Sequence, residues 1–498
     1  MSEKLKKARD FEERYGSFVP DEQRPIFHLT PTIGWMNDPN GFSLYKGEYH
    51  LFYQYFPYST EWGPMHWGHV KTRDFLHWER LPVAMAPDME YDRNGCFSGS
   101  AIELADGRQL LMYTGVRRVR EENGENRERQ TQCVAIGDGI DYEKYEANPV
   151  ISANDLPEGG SFYDFRDPKI WREDDMYYMV VGNRPADKSG SVLLYESKDC
   201  FDWQFDGVLA SCHNQYGRMW ECPDFFSLEG KHVLLVSPQE MTSVGMEFHA
   251  GNGTVCLIGE YDREKHHLIR ENVQAIDYGL DFYAPQTLQT LDGRRVMIAW
   301  MQNWETSSCQ PRGARIFGEM TLPRELTVRD GRLIQNPVRE LESYRKHRTI
   351  YKNVLISGMT SLQNVKGRVL DMTVSVRPAN ESGTYHWFKV NVAGDGEHMT
   401  TVRYKPENST VRIDRSRSGF PHDIVNVRDF SAQPRHGEIK FRFVLDRYSI
   451  ELFVNDGEQA ATSMIYTDIN ADAISFESDG SVIIDVEKYD LILGGEEK

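Results

Sequence analysis

Five stretches of the chain share one plan: DPNGFSLYKGEYHLFYQY from Asp38, FSGSAIELADGRQLLMYTG from Phe97, FRDPKIWREDDMYYMVVG from Phe165, WECPDFFSLEGKHVLLVS from Trp220 and FYAPQTLQTLDGRRVMIAW from Phe282. Each opens on a polar or aromatic motif, continues as a short apolar strand, turns at Gly or Asp and returns as a second apolar strand. The second strands start at Tyr49, Gln109, Met176, His232 and Arg294, which puts successive repeats 60, 67, 56 and 62 residues apart. A unit of that length holds four strands with their connections, the content of one propeller blade. Five units therefore predict five blades. The offset from motif to turn also holds: Asp38 to Gly47, Ser98 to Gly107 and Glu221 to Gly230 are nine residues each, which an accidental series of hairpins would not preserve. TRDFLHW (Thr72 to Trp78) and SKDCFDW (Ser197 to Trp203) echo one another and suit a turn feeding an outer strand.

Outward from the repeats the texture changes at both ends. The first residues, MSEKLKKARDFEERY, are charged throughout, with Leu5, Ala8, Phe11 and Tyr15 spaced for one face of a short amphipathic helix. Residues 1–22 are read as a helical extension packed on the body. They lack the apolar centre of a secretory signal, and no stretch of the chain approaches the roughly 18 apolar residues of a membrane span. Toward the other end, NPVRELESYRKHR (Asn336 to Arg348) is charged and predicts a connecting helix over 337–352. From Asn353 the pattern is one of short alternating strands: Phe441, Phe443 and Leu445, then Ile450, Leu452 and Val454, are interleaved with polar residues. About ten such runs predict a β-sandwich over 353–498. The fold class expected is thus all-β, a five-bladed β-propeller over 23–336 followed by a C-terminal β-sandwich.

Charge narrows the partners. With 57 basic against 76 acidic side chains, the net charge of −19 disfavours nucleic acid and anionic membrane surfaces, which need basic stripes. A small neutral ligand stays open. The seven cysteines are odd in number and form no C-x-x-C pair, a pattern that suits reduced thiols in a cytoplasmic protein.

In a propeller the innermost strands surround a central channel, so the five opening motifs converge on one axis. They bring Asp38, Ser98, Arg166 with Asp167, Glu221, and Asp281 with Tyr283. Three carboxylates thereby meet, with Trp35, Trp62, Phe97 and Trp220 nearby. Like charges gathered in an aromatic pit have their pKa values driven apart, so one carboxyl can stay protonated while another ionises. That is the requirement of glycoside cleavage, in which one carboxylate attacks the anomeric carbon and a second carboxyl protonates the departing oxygen. Taken singly, N-D-P-N-G is an ordinary turn, R-D-P a local ion pair and Glu221 a solvated strand end. Their shared register in a five-fold repeat is what makes the catalytic reading the stronger one.

WMNDPNG (Trp35 to Gly41), FSGS (Phe97 to Ser100), FRDPK (Phe165 to Lys169), WECPD (Trp220 to Asp224) and DFYAPQ (Asp281 to Gln286) resemble, in this order, the signature set of glycoside hydrolase family 32, the invertases and fructanases. The resemblance covers nearly the whole chain and implies a propeller and sandwich. It implies that Asp38 is the nucleophile, Glu221 the acid/base and Asp167 the stabiliser of the transition state. It further implies a fructose subsite made by Asn37, Gln54, Trp62, Phe97, Ser98, Arg166 and Tyr283, joined by a tryptophan late in the fifth blade, for which Trp304 is preferred to Trp300. The implied reaction is the retaining release of terminal β-fructofuranosyl units, with no cofactor and no metal. After Tyr53-Gln54-Tyr55 the chain has Phe56-Pro57-Tyr58-Ser59 where many members have Asn-Pro, which leaves the leaving-group half of the substrate open between sucrose, sucrose 6-phosphate and short fructo-oligosaccharides.

Other readings fit less well. A sugar-binding propeller without activity needs aromatics and hydrogen bonds but not three converging carboxylates beside an arginine. A fructosyltransferase shares the covalent intermediate and differs in the acceptor. A sialidase needs a Gly-x-Thr-Trp ending absent from TRDFLHW and SKDCFDW. His66 and His69, at i and i+3 of a strand, face opposite sides and do not make a metal pair. The run RRVREENGENRER (Arg117 to Arg129) reads as a solvated loop of the second repeat, the alternative being that it supplies an arginine to a sugar phosphate.

Overall fold

Each repeat folds as one four-stranded antiparallel sheet, with strands in sequence order from the channel outward. The computed structural model describes residues 1–121, 124–185, 189–307, 309–311, 313–380, 384–420 and 424–493. The innermost strands are Gly34–Tyr45, Gly95–Glu103, Phe165–Glu173, Met219–Leu228 and Tyr283–Gln289. Each packs beside the next and the fifth beside the first, so the five sheets close a ring. Closure is reinforced by Ile316–Phe317, a short excursion of the fifth repeat that pairs in parallel with Gly34 and Trp35 of the first.

The repeat motifs have a backbone meaning. Every innermost strand carries a bulge at its opening motif, where the ladder skips Asn37-Asp38, Ser98, Asp167-Pro168, Cys222-Pro223 and Ala284-Pro285. Three of the bulges contain proline, and in the first blade Pro39 follows the bulge directly; proline has no N–H to give to a ladder. In the second blade Gly99 stands in its place, because a Cβ there would lie 2.0 Å from the Met112 carbonyl oxygen. Asp167, Cys222 and Ala284, each just before its proline, have φ of +69°, +49° and +52°. Such bulges re-aim side chains.

The echo between TRDFLHW and SKDCFDW is one turn used twice. Thr72 Oγ1 accepts from the N–H groups of Asp74 and Phe75, and Ser197 Oγ accepts from those of Asp199 and Cys200. Each turn leads to the outermost strand of its blade, Glu79–Met85 or Trp203–Ser211.

The expected N-terminal helix spans Glu3–Tyr15, with Ser2 Oγ capping the Leu5 N–H. Leu5 and Ala8 pack with Leu29, Val83 and Ala86, while Phe11 and Tyr15 pack with Val19, Ile33 and Ile316. The connecting helix expected over 337–352 is corrected to one short 3-10 segment, Arg339–Tyr344. Arg345–Thr360 is already a strand, paired along the 19-residue strand Ala473–Leu491, so the sandwich begins before residue 353. The β-branched and aromatic run Thr349-Ile350-Tyr351 favours extended backbone over helix despite the charges around it. Ala473–Leu491 pairs with Phe388–Gly394 through its first part and with Leu370–Pro378 through its second, tying the two halves of the sandwich together.

Propeller and sandwich share a buried polar seam. His28 bonds Asp446 and Glu451, Arg324 bonds Asp277 and Glu451, and Arg415 pairs with Asp281, all with side chains shut off from solvent. Asp281 therefore turns away from the channel. Its expected convergence on the motif cluster is corrected: its carboxylate accepts from Arg415 and the Met464 N–H of the sandwich and from Thr306 Oγ1. Trp220 is likewise fully buried in the packing core, its Nε1 donating to the Tyr216 carbonyl. Among the described residues, no helix is long and apolar enough to cross a membrane.

Candidate active site

At one end of the channel the bulges gather the polar side chains. Trp35 Nε1 donates to Asn37 Oδ1 at 2.7 Å, and Asn37 Nδ2 donates to Asp38 Oδ1 at 3.0 Å. Ser98 Oγ donates to Asp38 Oδ2 at 2.7 Å. With its amide nitrogen facing the second blade, Asn40 donates to Ser98 Oγ at 3.2 Å while its oxygen accepts from Gln54 Nε2 at 2.9 Å. Asp38 is thus fixed by donors from two blades. Burial and then the charge of Glu221 push its carboxyl above the ordinary range, against the pull of Ser98 and Asn37.

Glu221 faces it, held from two sides. Arg166 grips Oε1 through Nε and Nη2, both at 3.0 Å, and Tyr283 donates its hydroxyl to Oε2 at 2.5 Å. Burial and the neighbouring Glu221 drive the Tyr283 pKa well up, so it stays a phenol and a donor. Arg166 is itself positioned by Asp164 at 2.9 Å, which also receives Arg184 at 2.8 Å. Arg166 loses by burial but gains from Glu221, Asp167 and Asp164, and remains a cation.

Asp167 is near enough to both acids to feel their charge. Its own N–H bonds Thr114 Oγ1, and its Oδ2 accepts the Cys222 N–H at 2.9 Å. Burial raises its pKa to about 7, with Arg166 opposing and Glu221 and Asp38 adding. The Cys222 sulfur sits 3.7 Å from both Asp38 Oδ2 and Asp167 Oδ2, which places the two carboxylates on either side of one small side chain.

Aromatics complete the pit. Trp304 is half-buried and stacks on Trp35 with centroids 6.1 Å apart, whereas Trp300 is fully buried beneath them. Only Trp304 of the pair has surface to offer. Trp62 is 40% exposed and stands edge-on to Phe97 at 6.0 Å, at the outer rim. Gln54 is almost wholly buried and donates to the Cys96 carbonyl, so it supports the second blade's opening from below. Asp164, Asn40 and Gln130, whose Oε1 accepts the Phe165 N–H, were not singled out from the sequence. The alternation Asp164-Phe165-Arg166 places Asp164 on the same strand face as Arg166 and could have revealed it. Gln130 comes from a different blade and has no local signal.

His66 and His69 do different things: His66 Nδ1 contacts the Pro64 carbonyl, while His69 contacts His50 and stacks on Phe52 at 3.9 Å. The Arg117–Arg129 run is corrected from loop to hairpin, its arms pairing Arg117 with Arg129 and Arg118 with Glu128; Glu122 and Asn123 of the run lie outside the described residues. Arg127 and Arg129 of the returning arm lie over the Tyr163 and Phe162 rings at 4.3 and 5.0 Å.

Two family sequence models match most of the chain: the glycosyl hydrolases family 32 N-terminal domain over residues 28–337 and the family 32 C-terminal domain over 340–491. The chain belongs to glycosyl hydrolase family 32. A raffinose invertase of Escherichia coli is 37% identical over 97% of this chain and 98% of its own length. A sucrose-6-phosphate hydrolase of Zymomonas mobilis is 36% identical over 93% of this chain and 91% of its own. Among solved structures, a family 32 β-fructofuranosidase of Bombyx mori superposes with a TM-score of 0.82 at 34% identity, covering 98% of both chains, and a variant of it was solved in complex with sucrose. The family's five-bladed propeller and sandwich is the architecture described above.

Proposed function

We propose that the protein is a retaining β-fructofuranosidase that releases terminal fructose from sucrose and short fructo-oligosaccharides. The observation that carries this is the facing pair: Asp38, fixed by Asn37 and Ser98, opposite Glu221, fixed by Arg166 and Tyr283. Asp38 attacks C2 of the fructosyl unit as Glu221 passes a proton to the glycosidic oxygen. Glu221 then takes a proton from water, which attacks C2 and frees Asp38. Asp167 accepts hydrogen bonds from fructose hydroxyls, strongest as positive charge develops on the ring. Asn37, Ser98, Phe97, Tyr283 and Trp304 shape the fructose subsite, with Gln54 behind them and Trp62 toward the leaving group. The Escherichia coli and Zymomonas mobilis relatives support a sucrose-based substrate, and the second of them favours sucrose 6-phosphate as the alternative. The buried placement of all seven cysteines agrees with a cytoplasmic protein.

The roles are tested with two variants. Asp38→Ala removes the covalent route, so hydrolysis falls by several orders of magnitude on every fructoside. Glu221→Ala keeps the nucleophile, forms the intermediate from an activated substrate and stalls; added azide, which needs no general base, restores turnover and gives the β-fructosyl azide. An α product, or rescue of Asp38→Ala alone, would overturn the assignment. Values of kcat/KM on sucrose, its 6-phosphate, 1-kestose and inulin decide the substrate.

A further inference from the structure

The five innermost strands run in the same direction along the channel. Their opening residues, Asp38, Ser98, Asp167, Glu221 and Tyr283, make the candidate active site. Residues a few positions further on, Ser43, Ile102, Ile170, Phe225 and Leu288, line a cavity of about 820 Å³ at the opposite end. That volume suits a small organic ligand.

The cavity has an aromatic wall. Trp171 and Tyr178, both half-buried, stack at 5.6 Å with planes 23° apart, and Phe225 stands edge-on to Trp171 and to Tyr261. Its inner end holds two groups whose hydrogen-bonding capacity is largely unused. Arg295 lies over the Phe226 ring at 4.5 Å and makes one long hydrogen bond, 3.4 Å to Thr287 Oγ1; among the described residues no carboxylate lies within ion-pair distance of it. Asp224 is 1% exposed, and its Oδ2 accepts from the Thr287 N–H and pairs with Lys169, but its Oδ1 has no partner. The Arg295 guanidinium thus has unused donors, and beside it the lining holds a buried carboxylate with one unpartnered oxygen.

Charge selects the ligand. The lining contains four cations, Lys169, Arg172, Arg263 and Arg295, against four carboxylates, Glu103, Glu173, Glu196 and Asp224. Arg263 is bound to Glu173 at 2.6 Å, and Glu103 accepts the Lys46 N–H. A lining with equal numbers of cations and carboxylates, half of them paired with one another, on a chain of net charge −19 has no excess positive charge to attract an anion. Hydroxyl groups both donate and accept, and the C–H face of a sugar ring packs on aromatic planes. We propose that this far mouth is a second, non-catalytic binding site for a neutral saccharide of roughly one to three units.

The test uses full-length Asp38→Ala protein, with Glu221→Gln as an alternative background, titrated with 1-kestose by calorimetry. Two binding events per chain are expected. Adding Arg295→Gln, or in a separate variant Trp171→Ala, weakens one event at least tenfold and leaves the other unchanged. In the active enzyme, Arg295→Gln keeps kcat/KM on sucrose within twofold, and its thermal transition without sugar reports that it folds. A single event in both backgrounds overturns the proposal. So do two events that survive both substitutions, and so does loss of both events together.

Discussion

Asp281→Asn separates catalysis from domain anchoring. Asp281 lies two residues before Tyr283, yet its carboxylate is sealed against Arg415 of the sandwich, both side chains being 0% exposed. Breaking a buried pair by removing one charge costs about 3–5 kcal/mol, because the remaining ion stays buried without its partner. Asparagine keeps one oxygen for the Met464 N–H and turns its amide nitrogen, a donor, toward Thr306 Oγ1, whose hydroxyl can accept, which puts the expected loss near the lower end, about 3 kcal/mol. At about 1.4 kcal/mol per factor of ten, the folded-to-unfolded ratio drops about a hundredfold. Tryptophan fluorescence in urea should show a clearly lower midpoint. The double variant Asp281→Leu with Arg415→Met, which removes both charges, should recover most of the loss. Turnover of sucrose by the folded Asp281→Asn protein should stay within a few-fold, since Tyr283 is held by its own bonds to Glu221 and the Ser237 carbonyl. An unchanged urea midpoint together with a hundredfold fall in kcat/KM would refute this reasoning and return Asp281 to the catalytic set.

Tyr283→Phe deletes the hydrogen bond that orients Glu221, worth about 1 kcal/mol, so kcat/KM on sucrose should fall roughly fivefold with the thermal transition preserved. At the domain seam, burial lowers the pKa of His28, but bonds to Asp446 and Glu451 and the nearby Glu319 outweigh it, lifting it from 6.5 to about 10. Burial lifts Glu319 from 4.5 to about 8. Both folded values exceed the unfolded ones, so their stabilisation is complete at low pH and is lost as pH rises, for His28 between 6.5 and about 10. The urea midpoint should fall across that window, and fall less in His28→Gln. With the catalytic residues at the mouth of a channel, inulin should yield fructose from the first time points, and early internal oligosaccharides would contradict the proposed terminal action.

The blades were legible because each repeat must present the same bulged strand to the channel, and a bulge needs the same few residue types at the same place. Asp38, Ser98 and Asp167 lie in the bulges and Glu221 stands directly before one, so the motifs could be aligned for that reason alone. Register along a strand does not reveal which neighbour a side chain meets. Asp281 shares the fifth motif with Tyr283, but its partner, Arg415, is 134 residues away in the other domain. Trp220 was misplaced for a related reason: beside Glu221 on the strand, it points to the opposite face, into the core. The segment from Arg339 shows the limit of composition, since its charges suited a helix while Ala473–Leu491, the strand that pairs with it, lies more than a hundred residues on.

The short parallel clip of Ile316–Phe317 on Gly34 and Trp35 also sets a timetable for synthesis. Every blade is made of consecutive strands, so the first can form once residue 85 has emerged, but one flank waits for the fifth blade and its excursion about 250 residues later. At about 5–20 residues per second, that flank stays uncovered for roughly 13 to 50 seconds on each ribosome. Met36, Phe42 and Leu51, which in the finished ring pack with Leu288, Ile298 and Met320, face water or a chaperone throughout that interval.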